Sequence, residues 1–278
     1  MKQSQAKKRD NAMTNKILMG LIALVLGLLF LEILIVHSKN EQQKNASNQV
    51  QTARIMANGD LLYHDGLYMS ALQSDGSYDF TENFTYVKPW LKQADLVLGD
   101  FEGTINPDYP LSGYPLFNAP QSVTAAIKDA GYDVMDLAHN HILDSGLEGA
   151  FTTADAFKKV GIDPIGVYEK PVRDKAPLLI KNVNGIKVAI LSYAYGYNGL
   201  ESNLTDKEVA DHLSNLDEKR MKAEIQRAEK EADITVIMPQ MGVEYRLEPT
   251  DEQVKLYHKM IDWGADIIFG GHPHVVEP

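Results

Sequence analysis

Three features of the chain predict an α/β fold with largely parallel strands. From residue 53 onward, short runs rich in Val, Ile and Leu alternate with helix-length amphipathic stretches, as strands do when helices cross between them. Asn184-Gly185 joins two apolar runs, and that dipeptide is the signal of a tight β-hairpin. Five apolar runs end in carboxylate, amide or imidazole groups, which suits a ligand-gathering rim at the strand ends.

The elements follow in order. "ARIMANGD", residues 53–60, reads as a strand entering a turn. Residues 85–93 read as a helix despite Pro89, and "ADLVLGD" as a strand ending at Asp100. A helix over 122–130 stops at Gly131, because glycine accepts the left-handed backbone of a helix end. "DVMDLAHNH" is a strand ending near Ala138, followed by a helix over 147–160 stopped by Gly161. "IDPIGV" is a short strand, and residues 176–194 form the hairpin. Residues 216–232 carry the charge pattern of a solvated amphipathic helix. "DITVIMPQ" is a strand, residues 251–263 a helix and "DIIFGG" a strand.

The region before residue 53 reads differently. Residues 17–36, "ILMGLIALVLGLLFLEILIV", are apolar except for Glu32, and about 20 such residues cross a bilayer core. Lys2, Lys7, Lys8, Arg9 and Lys16 all precede them, so an N-terminus in the cytoplasm is expected. The rival is a cleaved signal peptide, but the segment is long for one and no small-residue cleavage site follows it closely. The predicted plan is a cytoplasmic tail (1–16), a single-pass membrane anchor (17–37), a polar linker (38–52) and an extracellular domain (53–278). With the basic residues concentrated at the start, the rest is more acidic than the net charge of −11 implies. That argues against nucleic acid as a partner, since such binding needs a basic footprint. Cysteine is absent, which excludes disulfides and thiolate metal sites.

The strand ends carry the candidate chemistry: Asp60; Asp100 with Glu102; His139, Asn140 and His141; Gln240 with Glu244; and His272-Pro273-His274. Carboxylates, neutral imidazoles and an amide oxygen suit a divalent cation such as Mn²⁺, Zn²⁺ or Fe²⁺. A shared carboxylate would let two ions sit side by side for a hydrolytic displacement. Pro273 stiffens the link between two histidines, lowering the entropy lost on ligation. Taken singly, Asp60 also fits a turn cap, His139 reads as a core histidine, and His141 fits either role. Tyr193, Tyr195 and Tyr197 alternate, so an extended backbone puts them on one side, either as a half-buried strand edge or as a rim contacting an extended polymer.

The segments "GDFEGTI", "AHNHILDSG", "GVEY" and "GGHPHV" in this order resemble the CapA/PgsA family, named for poly-γ-glutamate capsule biosynthesis. Its globular domain is similar to the calcineurin-like metallophosphatases. The resemblance runs from about Arg54 to the last residue. It implies a metallophosphatase-like βαββ sandwich working beside a membrane ligase–transporter that makes and exports an anionic polymer. It also implies Asp60 as the first metal carboxylate, Asp100 and Glu102 in place of an Asn-x-Glu motif, and Asn140 as a metal-binding amide. His141 would be general acid or transition-state stabiliser, and His272 and His274 the Gly-His-x-His pair. Two departures weaken the implied site. Gln240 stands where many members have His, and Asp60 is followed by Leu61-Leu62 rather than x-His. Members continue past the last motif, so a C-terminally incomplete copy of the fold is expected.

Three functions compete: an accessory subunit of polymer synthesis and export whose domain holds the chain through bound cations; a metallohydrolase acting on a phosphoester or on the polymer's amide bond; and a non-catalytic surface binding protein. The anchor and the Gln240 departure favour the first.

Overall fold

The computed structural model of the chain describes residues 50–278 and, before them, Met19, Gly27, Leu28 and residues 31–39. The anchor expected over 17–37, with the tail and most of the linker, lies largely outside these residues. Among the described residues no helix is long and apolar enough to cross a membrane.

The domain holds two four-stranded sheets. The first has the order β1 (Ile55–Asp60), β2 (Leu96–Asp100), β3 (Val134–Asp136), β4 (Asp163–Ile165), with every pair parallel. The second has the order β5 (Leu179–Val183), β6 (Ile186–Ala194), β7 (Ile234–Gln240), β8 (Ile267–Ile268). Within it only the β5–β6 hairpin is antiparallel. Asn184 and Gly185 turn that hairpin with φ of 53° and 91°, the left-handed pair that matches strand twist.

Each sheet buries both faces, which explains the continuous apolar runs. Leu96, Leu98 and Val134 of the first sheet pack on Val188, Ile190, Val236 and Met238 of the second. The outer face of the first sheet meets α1 (Asp65–Ala71), α3 (Val123–Ala130) and α4 (Gly146–Lys159) through Tyr68, Val123, Ile127, Ala154 and Phe157. The outer face of the second meets α6 (Glu218–Glu231) and α7 (Asp251–Trp263) through Met221, Ile225, Leu256 and Met260. Two further short helices, α2 (Lys88–Leu91) and α5 (Asp206–His212), lie in the connections.

Several expected boundaries shift. The helix expected over 85–93 reduces to α2, with Pro89 in its first turn. Proline has no N–H to donate, so a proline is tolerated there and not deeper in a helix. The strand expected to reach Ala138 ends at Asp136, because the Asp136 carboxylate accepts the Ala138 N–H (2.7 Å) and turns the chain out of the ladder. α3 and α7 end on Gly131 and Gly264, both left-handed at φ 118°.

One connection positions the site with little room to spare. Gly166, just after β4, has φ 92°. A Cβ there would lie 2.6 Å from the Ala138 backbone nitrogen, at the root of the loop carrying Asn140 and His141. Gly166→Ala should therefore both strain the backbone and push that loop. We expect a loss of about 1–3 kcal/mol, measured as a lower urea midpoint with unchanged slope. An unchanged midpoint would show that this loop yields freely.

Candidate metal centre

Strand register builds the site. Asp60 pairs with Asp100 across β1 and β2, and Asp100 with Asp136 across β2 and β3. Three carboxylates thus end three neighbouring strands at one edge. From the second sheet, Gln240 ends β7 and bridges Gly271, bringing the His272-Pro273-His274 turn to the same edge. His272 and His274 adopt φ of 92° and 57°, a left-handed geometry that side chains rarely take and that clusters at functional sites. Gly271 permits the approach: a Cβ on it would stand 3.1 Å from Asp60 Oδ1 and 3.2 Å from Asp100 Oδ2.

Asp60, Glu102 and His274 bring one ligand atom each to within 4.8 Å of one another. His274 Nδ1 lies 2.9 Å from Asp60 Oδ2 and 4.0 Å from Glu102 Oε2. Buried around them without hydrogen-bond partners are Glu102 Oε2, Asp100 Oδ1 and His272 Nδ1. Buried polar atoms are ordinarily satisfied, so orphaned acceptors of this chemistry, converging on one place, fit a divalent cation.

The electrostatics point the same way. Burial, with the neighbouring charges of Asp136, Asp60 and Glu102, drives Asp100 well above the ordinary carboxylate range. Burial and the charge of Asp60 push Glu102 up to about 8, and burial pushes Asp136 to about 8. Burial opposes Asp60 too, but the hydrogen bond and charge of His274 outweigh it and hold Asp60 low. The same hydrogen bond raises His274, while burial lowers His272. Carboxylates this close in a low-dielectric site require protons or a cation.

Behind this cluster runs a chain of side-chain hydrogen bonds whose polarity is set at one end. The Asn140 backbone N–H donates to Gln240 Oε1 (2.9 Å), and Gln240 Nε2 donates to Asn140 Oδ1 (3.0 Å). Asn140 Nδ2 then faces Asn198 Oδ1 (3.4 Å), and Asn198 Nδ2 faces His141 Nε2 (3.5 Å). With Nε2 as acceptor, His141 carries its proton on Nδ1 and donates to Asp144 Oδ2 (2.8 Å). Asp144 is held by the Phe117 N–H (2.6 Å), and the Phe117 ring meets His141 edge-on at 4.8 Å. His141 Nε2 lies 3.9 Å from Glu102 Oε1.

The structure therefore brings Asp60, Asp100, Glu102, Asn140, His141, His272 and His274 to one edge. His139 is fully buried beneath it, with Nδ1 accepting the His141 N–H. Glu244 is exposed at the rim, where its charge still acts on Glu102, His272 and His274. Two expectations are corrected. Gln240 does not offer a free amide oxygen as a ligand, because both ends of its amide are bonded to Asn140. Tyr193 does not face a polymer: it is fully buried against α6, and its hydroxyl donates to Glu224 (2.9 Å) beneath the Arg173 guanidinium. β6 ends at Ala194, so the alternation breaks, and Tyr197 also goes into the core. Only Tyr195 opens to solvent, its ring 4.7 Å from that of His272.

Sequence reasoning missed Asp136, Asp144 and Asn198. Asp136 sits inside the apolar run expected to continue to Ala138. Asp144 follows His141 by three residues, a spacing at which side chains meet in a helical turn. Asn198, at φ 53°, reads in sequence as an ordinary turn residue.

Known proteins share this chain's sequence and fold. The family model described as bacterial capsule synthesis protein PGA_cap matches residues 54–278. The chain is 33% identical over 203 residues to the capsule biosynthesis protein CapA of Bacillus anthracis, covering 70% of this chain and 48% of that protein. It is 29% identical over 274 residues to the PGA biosynthesis protein CapA of Bacillus subtilis (strain 168), covering 98% of this chain and 70% of that one. The chain thus spans about half the length of the first of these relatives. Among solved structures, a Staphylococcus aureus protein described as a 5′-nucleotidase, in complex with alpha-ketoglutarate, superposes with a TM-score of 0.53 at 17% identity. That match covers 81% of this chain and 47% of the other, and shows a shared α/β fold. With the family match running from the first strand of the domain to the last residue, the chain belongs to the bacterial capsule synthesis protein family.

Proposed function

We propose that this chain is an accessory subunit of poly-γ-glutamate capsule synthesis and export, anchored in the membrane with its domain outside and its site charged with a divalent metal. The observation that carries the reading is the convergence of Asp60, Glu102 and His274 in a chain of this family. The basic residues before the apolar segment 17–36 support the orientation. The anchor would hold the domain beside the polymer ligase and its export subunits.

Asp60, Glu102 and His274 would hold the ion, with Asp100 beside them. The bound cation would supply positive charge that offsets these carboxylates and offers a contact for an anionic polymer. The domain is otherwise acidic, and a polyanion is repelled from such a surface. Tyr195 and Glu244 border the opening. Polymer binding should therefore depend on divalent cation. A pull-down on immobilised polyglutamate should retain the chain with Mn²⁺ and release it with a chelator, and Glu102→Gln should weaken retention at least tenfold, roughly 1.4 kcal/mol. Retention unchanged by the chelator would sink the cation-bridge reading.

One observation favours a second reading, metal-dependent hydrolysis of a phosphoester or of the polymer's amide bond. His141 is oriented by Asp144 with Nε2 directed toward Glu102, the arrangement of a group ready to take or give a proton. The two readings separate in cells. His141→Ala should leave capsule export intact if the chain is an accessory subunit. If it is a hydrolase, the same change should reduce turnover by about 10²–10⁴.

The carboxylates also give the metal-free domain a pH dependence with a definite sign. Glu102 and Asp136 titrate near 8 when folded and near 4 when unfolded. Their protonated forms therefore favour the fold below about pH 4, and that contribution is lost as pH rises through about 8. After chelation, thermal unfolding should move to lower temperature across this window, and added Mn²⁺ should restore most at the alkaline end. A melting temperature flat with pH would contradict the crowding of charge inferred here.

A further inference from the structure

We infer that the centre is built for one metal ion rather than two, because Gln240 and Asn140 close the second position against each other. The inference rests on the reading that the site takes a divalent cation at all.

A second ion beside the Asp60–Glu102–His274 cluster would draw on Asn140, Gln240 and His272. Gln240 is 1% exposed and both ends of its amide are committed. Its oxygen accepts the Asn140 backbone N–H. A backbone N–H can only donate, so the amide has one orientation. Its NH₂ group, which has no lone pair for a cation, then points at the Asn140 side-chain oxygen. That oxygen is the donor a second ion would need. Freeing it would strand the Gln240 NH₂ in a buried site, and turning Gln240 over would strand the Asn140 N–H. Either change leaves a buried polar group unsatisfied, which a folded protein avoids because the group loses its bonds to water and gains none in return.

What remains on that side is His272, whose buried Nδ1 has no partner, and Asp100, whose buried Oδ1 has none. One imidazole and one carboxylate fall short of the three or four protein ligands usual for a stable divalent site. Among the described residues, Asp60, Glu102 and His274 are the one group of three or more acidic or imidazole side chains close enough to hold an ion. An imidazole at position 240 would change this: it could not make the reciprocal amide pair, and it would bring a ring nitrogen beside Asn140.

The test counts metal on the full chain. Metal-free protein is equilibrated with Mn²⁺, freed of unbound ion, and assayed by mass spectrometry and electron paramagnetic resonance. The expected result is one Mn²⁺ per chain, with the spectrum of an isolated ion and any second equivalent bound at least 100-fold more weakly. Asp60→Asn should empty the site. Gln240→His should raise the count to two and produce the broadened spectrum of coupled ions. Gln240→Glu, nearly isosteric and able to keep the bond from the Asn140 N–H, serves if the histidine variant fails to fold, and should also gain a second ion. Two ions of similar affinity in the unaltered chain would overturn the inference while leaving the metal reading in place. No bound metal would overturn both. A count still at one in folded Gln240→His and Gln240→Glu would overturn the role given to the amide pair.

Discussion

Three parallel strands ending in register with Asp60, Asp100 and Asp136 at adjacent positions impose the constraint on which the rest of the site depends. Strands of one parallel sheet stand less than 5 Å apart, so side chains at paired positions on the same edge are close. Carboxylates at that spacing, shielded from water, cannot all stay ionised without compensation. Part of it comes from the hydrogen bond between His274 and Asp60, which crosses from one sheet to the other. The orphaned oxygens of Asp100 and Glu102 mark the part left for a cation. The left-handed backbone at His272 and His274 belongs to the same requirement, because it turns both imidazoles toward the edge within three residues.

The amide chain behind the carboxylates has a different logic. Its direction is set by a single backbone N–H and passes through Gln240, Asn140 and Asn198 to His141 and Asp144. One group at the start fixes which oxygen accepts at each later step and which nitrogen of His141 bears its proton. A residue that looks in isolation like a weaker metal ligand is then better understood as a positioning group for Asn140. The nearby network of Arg173, Glu224 and Tyr193 is equally closed. Arg173 donates to Glu224 through Nε (3.0 Å) and Nη2 (2.8 Å) and to the Leu213 carbonyl through Nη1 (3.0 Å). It secures the connection after β6 and leaves nothing facing a ligand.

Much of the fold was legible in the sequence because the dominant signals are local. Apolar runs bounded by Gly or Asn located seven of the eight strands to within a few residues. Only β8, two residues long, was much shorter than its apolar run suggested, although Phe269 and Gly271 past it still donate backbone hydrogen bonds to Ile237 and Pro239 of β7. The candidate ligands were legible for the same reason, as polar residues placed just past buried strands. Asp136 was hidden inside an apolar run, and Asn198 carries a turn signal common to many loops. Tyr193 was misplaced because alternation predicts a common face only while the strand continues, and β6 ends one residue later.

The sequence by itself determined the α/β class, the family and the types of donor available, because periodicity, turn chemistry and motif order are written along the chain. The tertiary structure decided which donors meet. Asp60 and His274 are joined only when two sheets pack face to face, and Gln240 meets Asn140 across 100 residues of intervening chain. Hydrogen-bond polarity between such distant groups is a property of the packed arrangement. No reading of one residue at a time could separate a ligand at position 240 from a group that holds its neighbour in place.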